Sequence, residues 1–195
     1  MKNLLLTLSL LLCISCFGEN PKDTIYKRIK MKDGYTFACK RHDSIKYVCL
    51  IKDGKETEVS ESEGDTNMSL DALGYPYADF GNTFVLATHI ETNPIKVEII
   101  DKKTGGMLMY GATPFYMDTA KRIMMFEGIG RRRGKLILYD FNTGKSELYV
   151  APRETPCFCC FCWKLLSLTD AEIKIEYLNM EYEKVDITYP RVQKK

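Results

Sequence analysis

Histidine and tryptophan are almost missing from this chain: its 195 residues hold two histidines and one tryptophan. His42 lies in the charged run Lys40-Arg41-His42-Asp43, and His89 follows the apolar-rich Leu86-Ala87-Thr88. Neither belongs to a metal-spaced histidine pair or to a Ser/His/Asp set, so those chemistries have no local signature. No glycine-rich loop opens a helix as a phosphate site requires, and Gly128-Ile129-Gly130 stands outside that context. The formal charge of +2 is too near neutral for the basic face that nucleic-acid binding needs. Beyond the first seventeen residues no stretch reaches the roughly 20 apolar residues that span a bilayer. Alanine is scarce while Val, Ile, Tyr, Phe and Thr are plentiful, which favours strands over helices.

What is present begins at the N-terminus. Met1-Lys2-Asn3 is a short cationic start, Leu4 to Ile14 an apolar segment, and Ser15-Cys16 a small-residue exit. That order describes a secretory signal peptide, and it is too short for a membrane span. Ile14-Ser15-Cys16 resembles the end of a bacterial lipobox, although Cys13 stands where Leu, Val or Ile is usual. The resemblance implies lipidation of Cys16 and a membrane-anchored place in the bacterial envelope, facing the periplasm or the exterior. The alternative is cleavage near Gly18, with Cys16 and Gly18 as the small residues, releasing a soluble periplasmic or secreted chain. Residues 1–18 are read as the leader, 19–23 as a tether, and 24–195 as one domain, a length that suits a single core.

A repeat runs through that domain. Asp101-Lys102-Lys103-Thr104-Gly105 and Asp140-Phe141-Asn142-Thr143-Gly144 lie 39 residues apart, each between apolar-rich runs. The same spacing relates Tyr77 to Tyr116 and Asp79 to Asp118. Asp-x-x-Thr-Gly predicts a tight hairpin: the Asp side chain caps the turn and Gly supplies its positive φ. Another 39 residues lead to Asn179, between Ile173 to Tyr177 and Lys184 to Ile187, in a copy without the glycine. Lys52-Asp53-Gly54-Lys55 predicts an earlier hairpin. The expected fold is therefore all-β, an antiparallel meander of about four hairpin repeats. The units resemble β-propeller blades of the TolB-like or WD-repeat type, which implies a closed or partial ring. Recurrent Asp79 and Asp118 read as corner caps.

Pro156-Cys157-Phe158-Cys159-Cys160-Phe161-Cys162-Trp163 is the densest chemical feature. By the 39-residue spacing it falls at the corner entering a strand, where Tyr116 to Arg122 sit in the preceding unit. Cys157, Cys159, Cys160 and Cys162 bring together soft ligands that suit copper, zinc or an iron–sulfur centre. In an extended strand, however, they point alternately to opposite faces, and they lack the separated Cys-x-x-Cys knuckles of structural zinc sites. In an oxidising compartment these four would instead form disulfides with one another or with Cys39 and Cys49, whose strands could place them face to face. Inert packing beside Phe158, Phe161 and Trp163 is the third reading.

Arg131-Arg132-Arg133 lies at a loop tip and is a candidate contact for an anionic partner. Tyr75, Tyr77, Phe80, Phe115 and Tyr116 could line one end of the sheets or pack at their corners. The function expected from these features is non-enzymatic binding of a protein or small molecule in the envelope, with no cofactor and a lipid on Cys16. The alternative is a metal or thiol-redox protein working through Cys157 to Cys162.

Overall fold

Side-chain-capped turns cut this chain into strands. The computed structural model describes residues 24–42, 45–63, 73–88, 96–152 and 162–191. The first sheet contains β1 (Thr24–Lys30), β2 (Thr36–His42), β3 (Ile45–Lys52) and β4 (Lys55–Glu63). The second contains β5 (Tyr75–Asp79), β6 (Thr83–Thr88), β7 (Lys96–Asp101) and β8 (Met107–Gly111). The third contains β9 (Tyr116–Asp118), β10 (Ile123–Glu127), β11 (Lys135–Asp140) and β12 (Lys145–Val150). The fourth contains β13 (Trp163–Leu168), β14 (Glu172–Leu178) and β15 (Lys184–Pro190). Every sheet is an antiparallel meander in chain order, so the fold is all-β.

The expected hairpins form, by the chemistry expected of them. Asp101 Oδ1 accepts from the Thr104 amide at 2.8 Å and the Thr104 hydroxyl at 2.9 Å, and the Gly105 amide returns to Asp101 O at 2.8 Å. Asp140 does the same for Asn142 and Thr143, with the Gly144 amide on Asp140 O at 2.8 Å. Gly105 and Gly144 have φ of +72° and +67°, a region that costs other residues strain. Asp79 and Asp118 cap their corners too, accepting from the Gly81 amide at 3.0 Å and from the Ala120 and Lys121 amides at 3.0 and 2.9 Å.

Apolar residues on both faces of the middle sheets force the four sheets to stack. Phe37, Cys39, Val48 and Leu50 of the first sheet meet Phe84, Leu86 and Ile100 of the second. The opposite face of the second, with Val85, Val97 and Ile99, meets Met124, Phe126, Ile137 and Tyr139 of the third. Met125, Leu136, Leu138 and Tyr149 then meet Trp163, Ile173 and Ile175 of the fourth. Among the described residues these clusters join consecutive sheets, and none joins the fourth sheet to the first. Removing one such fully buried aromatic, as in Phe126→Ala, would cost about 3–5 kcal/mol.

The stack has two ends. At the hairpin end lie the turns β1–β2, β3–β4, β5–β6, β7–β8, β9–β10, β11–β12 and β13–β14. At the crossing end lie Thr24 and, among the described residues, the connections β8–β9, β10–β11 and β14–β15. Contacts fix this alignment: Arg122 Nη2 donates to Phe80 O at 2.6 Å at one end, and the Ala112 amide to Glu127 O at 2.8 Å at the other.

At the hairpin end, the residue after each third strand ties its sheet to the preceding one. The amides of Lys102, Phe141 and Arg191 close equivalent turns on Asn82 O, Arg122 O and Ala171 O. Their side chains then reach back. Lys102, fully buried, donates to Asp79 Oδ1 at 2.6 Å and to Lys32 O of the first sheet at 3.2 Å. Its ammonium also lies 5.3 Å from the Tyr35 ring centre. Phe141 stacks on Phe80 of the second sheet, with ring centres 3.7 Å apart. Arg191 grips Glu147 of the third sheet.

These equivalences correct the reading of the fourth copy. Leu168 pairs with Ile173 as Asp118 pairs with Ile123, so β13 is the first strand of its sheet and matches β9. Asn179 therefore caps a turn at the crossing end, not an outer hairpin. It accepts from the Glu181 and Glu183 amides at 3.0 and 2.9 Å, while Tyr182 takes the positive φ, +62°. The cysteine-rich segment falls between β12 and β13 in sequence, and residues 153–161 lie outside the described residues.

Asp79→Ala should destabilise the protein by about 3 kcal/mol, because it strands the buried Lys102 ammonium. Adding Lys102→Met should recover more than half of that loss. Urea unfolding of the two single variants and the double variant measures the coupling, and additive losses would disprove it.

Candidate functional site

Between the third and fourth sheets the hairpin end stays open. A groove of about 500 Å³ lies there, within the range of small-molecule sites. Ile123, Leu138 and Leu168 give it an aliphatic floor. Its rim is polar and of mixed charge: Lys121, Asp140, Asn142, Thr169, Asp170 and Arg191. Four turns supply these groups, and local hydrogen bonds hold most of them. Asp140 caps its hairpin, Asn142 Nδ2 donates to Lys121 O at 3.0 Å, and Thr169 Oγ1 accepts from the Ala171 and Glu172 amides at 3.3 and 3.1 Å.

Arg191 fixes the width of the groove. Nη2 and Nε donate to the two carboxylate oxygens of Glu147 at 2.6 and 3.2 Å, and Nη1 donates to Thr169 O at 3.0 Å. Such a bidentate pair is stronger and more directional than a single bond. Burial opposes ionisation of Glu147, but Arg191 and the Tyr149 hydroxyl outweigh it and hold the carboxyl below its ordinary range. The hydrogen bonds that Arg191 donates to Glu147 raise it further above its ordinary value. Burial, with the Glu147 bond added, pushes the Tyr149 hydroxyl far up, so it stays a donor at any working pH. Burial likewise pushes Tyr189 up to about 12, and its hydroxyl donates to Val150 O at 2.7 Å. Lys121 and Asp170 are the charged rim groups left facing solvent.

At the crossing end, Glu127 sits beside Trp163, whose Nε1 lies 3.4 Å from Glu127 Oε2. Burial raises the Glu127 carboxyl above its usual range, against the pull of the indole and of Arg133. Trp163 leans on Phe115 and Tyr177. A smaller cleft of about 250 Å³ opens beyond it, lined by Cys162, Trp163, Lys164, Glu176, Tyr177, Leu178 and Lys184.

The sequence candidates fare unevenly. Cys16, Cys157, Cys159, Cys160 and His89 lie outside the described residues. Cys162 is described and is not a free thiol. Among the described residues no disulfide joins two cysteines, and no group of three or more His, Cys, Asp or Glu could hold a metal. Cys39 and Cys49 are buried and not disulfide-bonded, and they do not face one another. Their strands pair Ala38 with Cys49 and Cys39 with Val48, so the two thiols point to opposite faces. Burial, helped by Glu56, pushes the Cys49 thiol up to about 11, so it is unreactive. Arg131 and Arg133 are exposed, while Arg132 folds back onto the Met109 sulfur. Tyr75, Phe80, Phe115 and Tyr116 pack in the core, whereas Tyr77 is partly exposed.

The groove residues Lys121, Thr169, Asp170 and Arg191 were not legible as a set. The Arg191–Glu147 pair spans 44 residues without a local motif. The one available signal was Asp140 and Asn142, which reads as turn chemistry.

No family model matches the chain, and no curated protein matches it. One similar solved structure is an uncharacterized protein, lmo1340, from Listeria monocytogenes EGD-e, with a TM-score of 0.34 and 10% identity. The match covers 85% of this chain and 54% of that one, so the chain spans about half its length. A likeness at that level supports no statement about fold or function.

Glu147→Gln should loosen the groove and cost about 2 kcal/mol at pH 7, the scale of a charge-assisted hydrogen bond. Because the Glu147 carboxyl is depressed, its contribution is full above the ordinary glutamate range, ~4.3, and fades as pH falls below it. Urea unfolding should therefore separate wild type from variant at pH 7 and show a narrower gap at pH 3.

Proposed function

We propose that this protein is an exported, lipid-anchored binding protein of the bacterial envelope that recognises a small ligand and catalyses nothing. The groove between the third and fourth sheets carries this reading. Its floor is apolar and its rim presents both charges, a combination that recognises an amphipathic molecule. Most of its polar groups are spent on capping and on the Arg191–Glu147 pair, which leaves Lys121 and Asp170 as the charges that meet a ligand. The leader supports export, and Cys16 supports the anchor. The stacked meanders support a partial β-propeller-like arrangement in which each sheet is a blade.

The cysteines fit the same compartment. We read Cys157, Cys159, Cys160 and Cys162 as staples of the connection between β12 and β13, supported by Cys162 not being free. The metal or redox alternative requires these four to be available as ligands or as a redox pair.

Labelled palmitate should enter the wild-type protein in cells and be absent from Cys16→Ser, with a matching loss from the membrane fraction. Label retained by the variant would overturn the anchor. Ligand-observed NMR against a fragment set should give hits for wild type that Leu168→Trp, which fills the groove, removes; hits that survive would place binding elsewhere. In a thiol assay the native protein should show none, and the denatured, unreduced protein two, from Cys39 and Cys49. Six would rule out the staples, and bound stoichiometric copper or zinc would favour the metal reading.

A further inference from the structure

The first two junctions between sheets are filled at the hairpin end, and the third is not. Lys102 fills the first by burial, and Phe141 the second by stacking on Phe80. Arg191 reaches out to Glu147 instead, and the groove remains open beside it. Its two walls belong to different sheets. Lys121 stands in the β9–β10 turn of the third sheet and Asp170 in the β13–β14 turn of the fourth.

Four charged residues line the groove: Lys121, Asp140, Asp170 and Arg191. Two of them are occupied. Asp140 accepts the Asn142 amide on one oxygen and the Thr143 hydroxyl on the other, and Arg191 donates to Glu147 and to Thr169 O. Asp170 lies close enough for its charge to act on Arg191, yet it accepts no hydrogen bond among the described residues. The Lys121 side chain is 67% exposed and its ammonium is 3.9 Å from Asp118, a carboxylate that already takes the Ala120 and Lys121 amides. The charges left to meet a ligand are thus of opposite sign and stand on opposite walls. Asp140 opposes a purely anionic ligand, whereas a zwitterion answers Lys121 and Asp170 together.

Spacing sets the length of that zwitterion. Sheets packed face to face stand about 10 Å apart. A single amino acid holds both charges within one residue's length, ~3.4 Å, whereas three extended residues reach about 10 Å. Side chains of an extended peptide alternate, so with its ends on the two walls the central one turns to the floor. Ile123, Leu138 and Leu168 receive an aliphatic group there. We propose that the groove takes a short peptide with both termini free, its carboxylate at Lys121, its ammonium at Asp170 and a central aliphatic side chain on the floor. This rests on the reading of the groove as a ligand site and names the ligand class.

Ligand-observed NMR titration of the wild-type protein with Ala-Leu-Ala tests it. Acetylating the amino end or amidating the carboxyl end should each weaken binding about tenfold, the scale of one charge-assisted hydrogen bond. Glycine in place of the central leucine should cost about as much. The variants should follow the ends. Lys121→Ala should lose about tenfold for the free and acetylated peptides and nothing for the amidated one. Asp170→Asn should lose as much for the free and amidated peptides and nothing for the acetylated one. Lys103→Ala, at an exposed lysine of the β7–β8 hairpin, should bind like wild type; circular dichroism checks that each variant folds. Equal binding of free and blocked peptides, free leucine binding as well as the tripeptide, or variant losses that ignore which end is blocked would each overturn the proposal. Fragment hits removed by Leu168→Trp, without binding of Ala-Leu-Ala, defeat the peptide alone. No fragment hit at the groove defeats the groove reading as well.

Discussion

The fold depends on one requirement: its middle sheets are apolar on both faces. In β6, five successive residues from Thr83 to Ala87 are buried, so alternation cannot leave one face in water. β10 and β11 have the same character, with Met124, Met125 and Phe126 buried in turn. A two-faced sheet needs a partner on each side, and a consecutive stack supplies both. The terminal sheets relax the requirement. The outward face of the fourth carries Lys174–Asp186 and Lys184–Glu176 ion pairs, suited to solvent. Such exposed pairs add little stability; their role is to end the stack.

Three chemistries solve the same joining problem at one position in the repeat. Lys102 uses a buried ammonium, Phe141 a stacked ring and Arg191 a bidentate guanidinium. The first is protected from salt by complete burial. The second is indifferent to pH. The third is partly exposed and relies on an ionised carboxylate, making the last junction the most responsive to conditions. It is also the junction that holds the groove, so adaptability and ligand access coincide.

Much of the fold was legible because its turns carry their own chemistry. Asp101, Asp140 and their glycines announce hairpins through local hydrogen bonds, and local rules reach that far. The phase of the fourth sheet was not legible. A connection of unpredictable length separates β12 from β13, and Asn179 imitates a hairpin cap while serving the opposite end. The joining residues were invisible as a series because Lys, Phe and Arg share no side-chain pattern. Cys39 and Cys49 show how strict register is: a one-residue offset turns a plausible bridge into two thiols on opposite faces. The groove escaped because its residues come from four separate turns, brought together by stacking alone.

The two Asp-x-x-Thr-Gly hairpins look interchangeable in sequence, yet they occupy different mechanical situations. A Cβ on Gly105 would fall 2.2 Å from Glu58 O of the first sheet, whereas on Gly144 the nearest atom is the Tyr139 hydroxyl at 4.0 Å. One loop is a joint pressed against backbone; the other is a free tip. An inserted tag or a fluorophore can therefore follow Asn142 without meeting a neighbouring sheet, provided Asn142 keeps its bond to Lys121 O. At 103–105 the same change would pry two sheets apart.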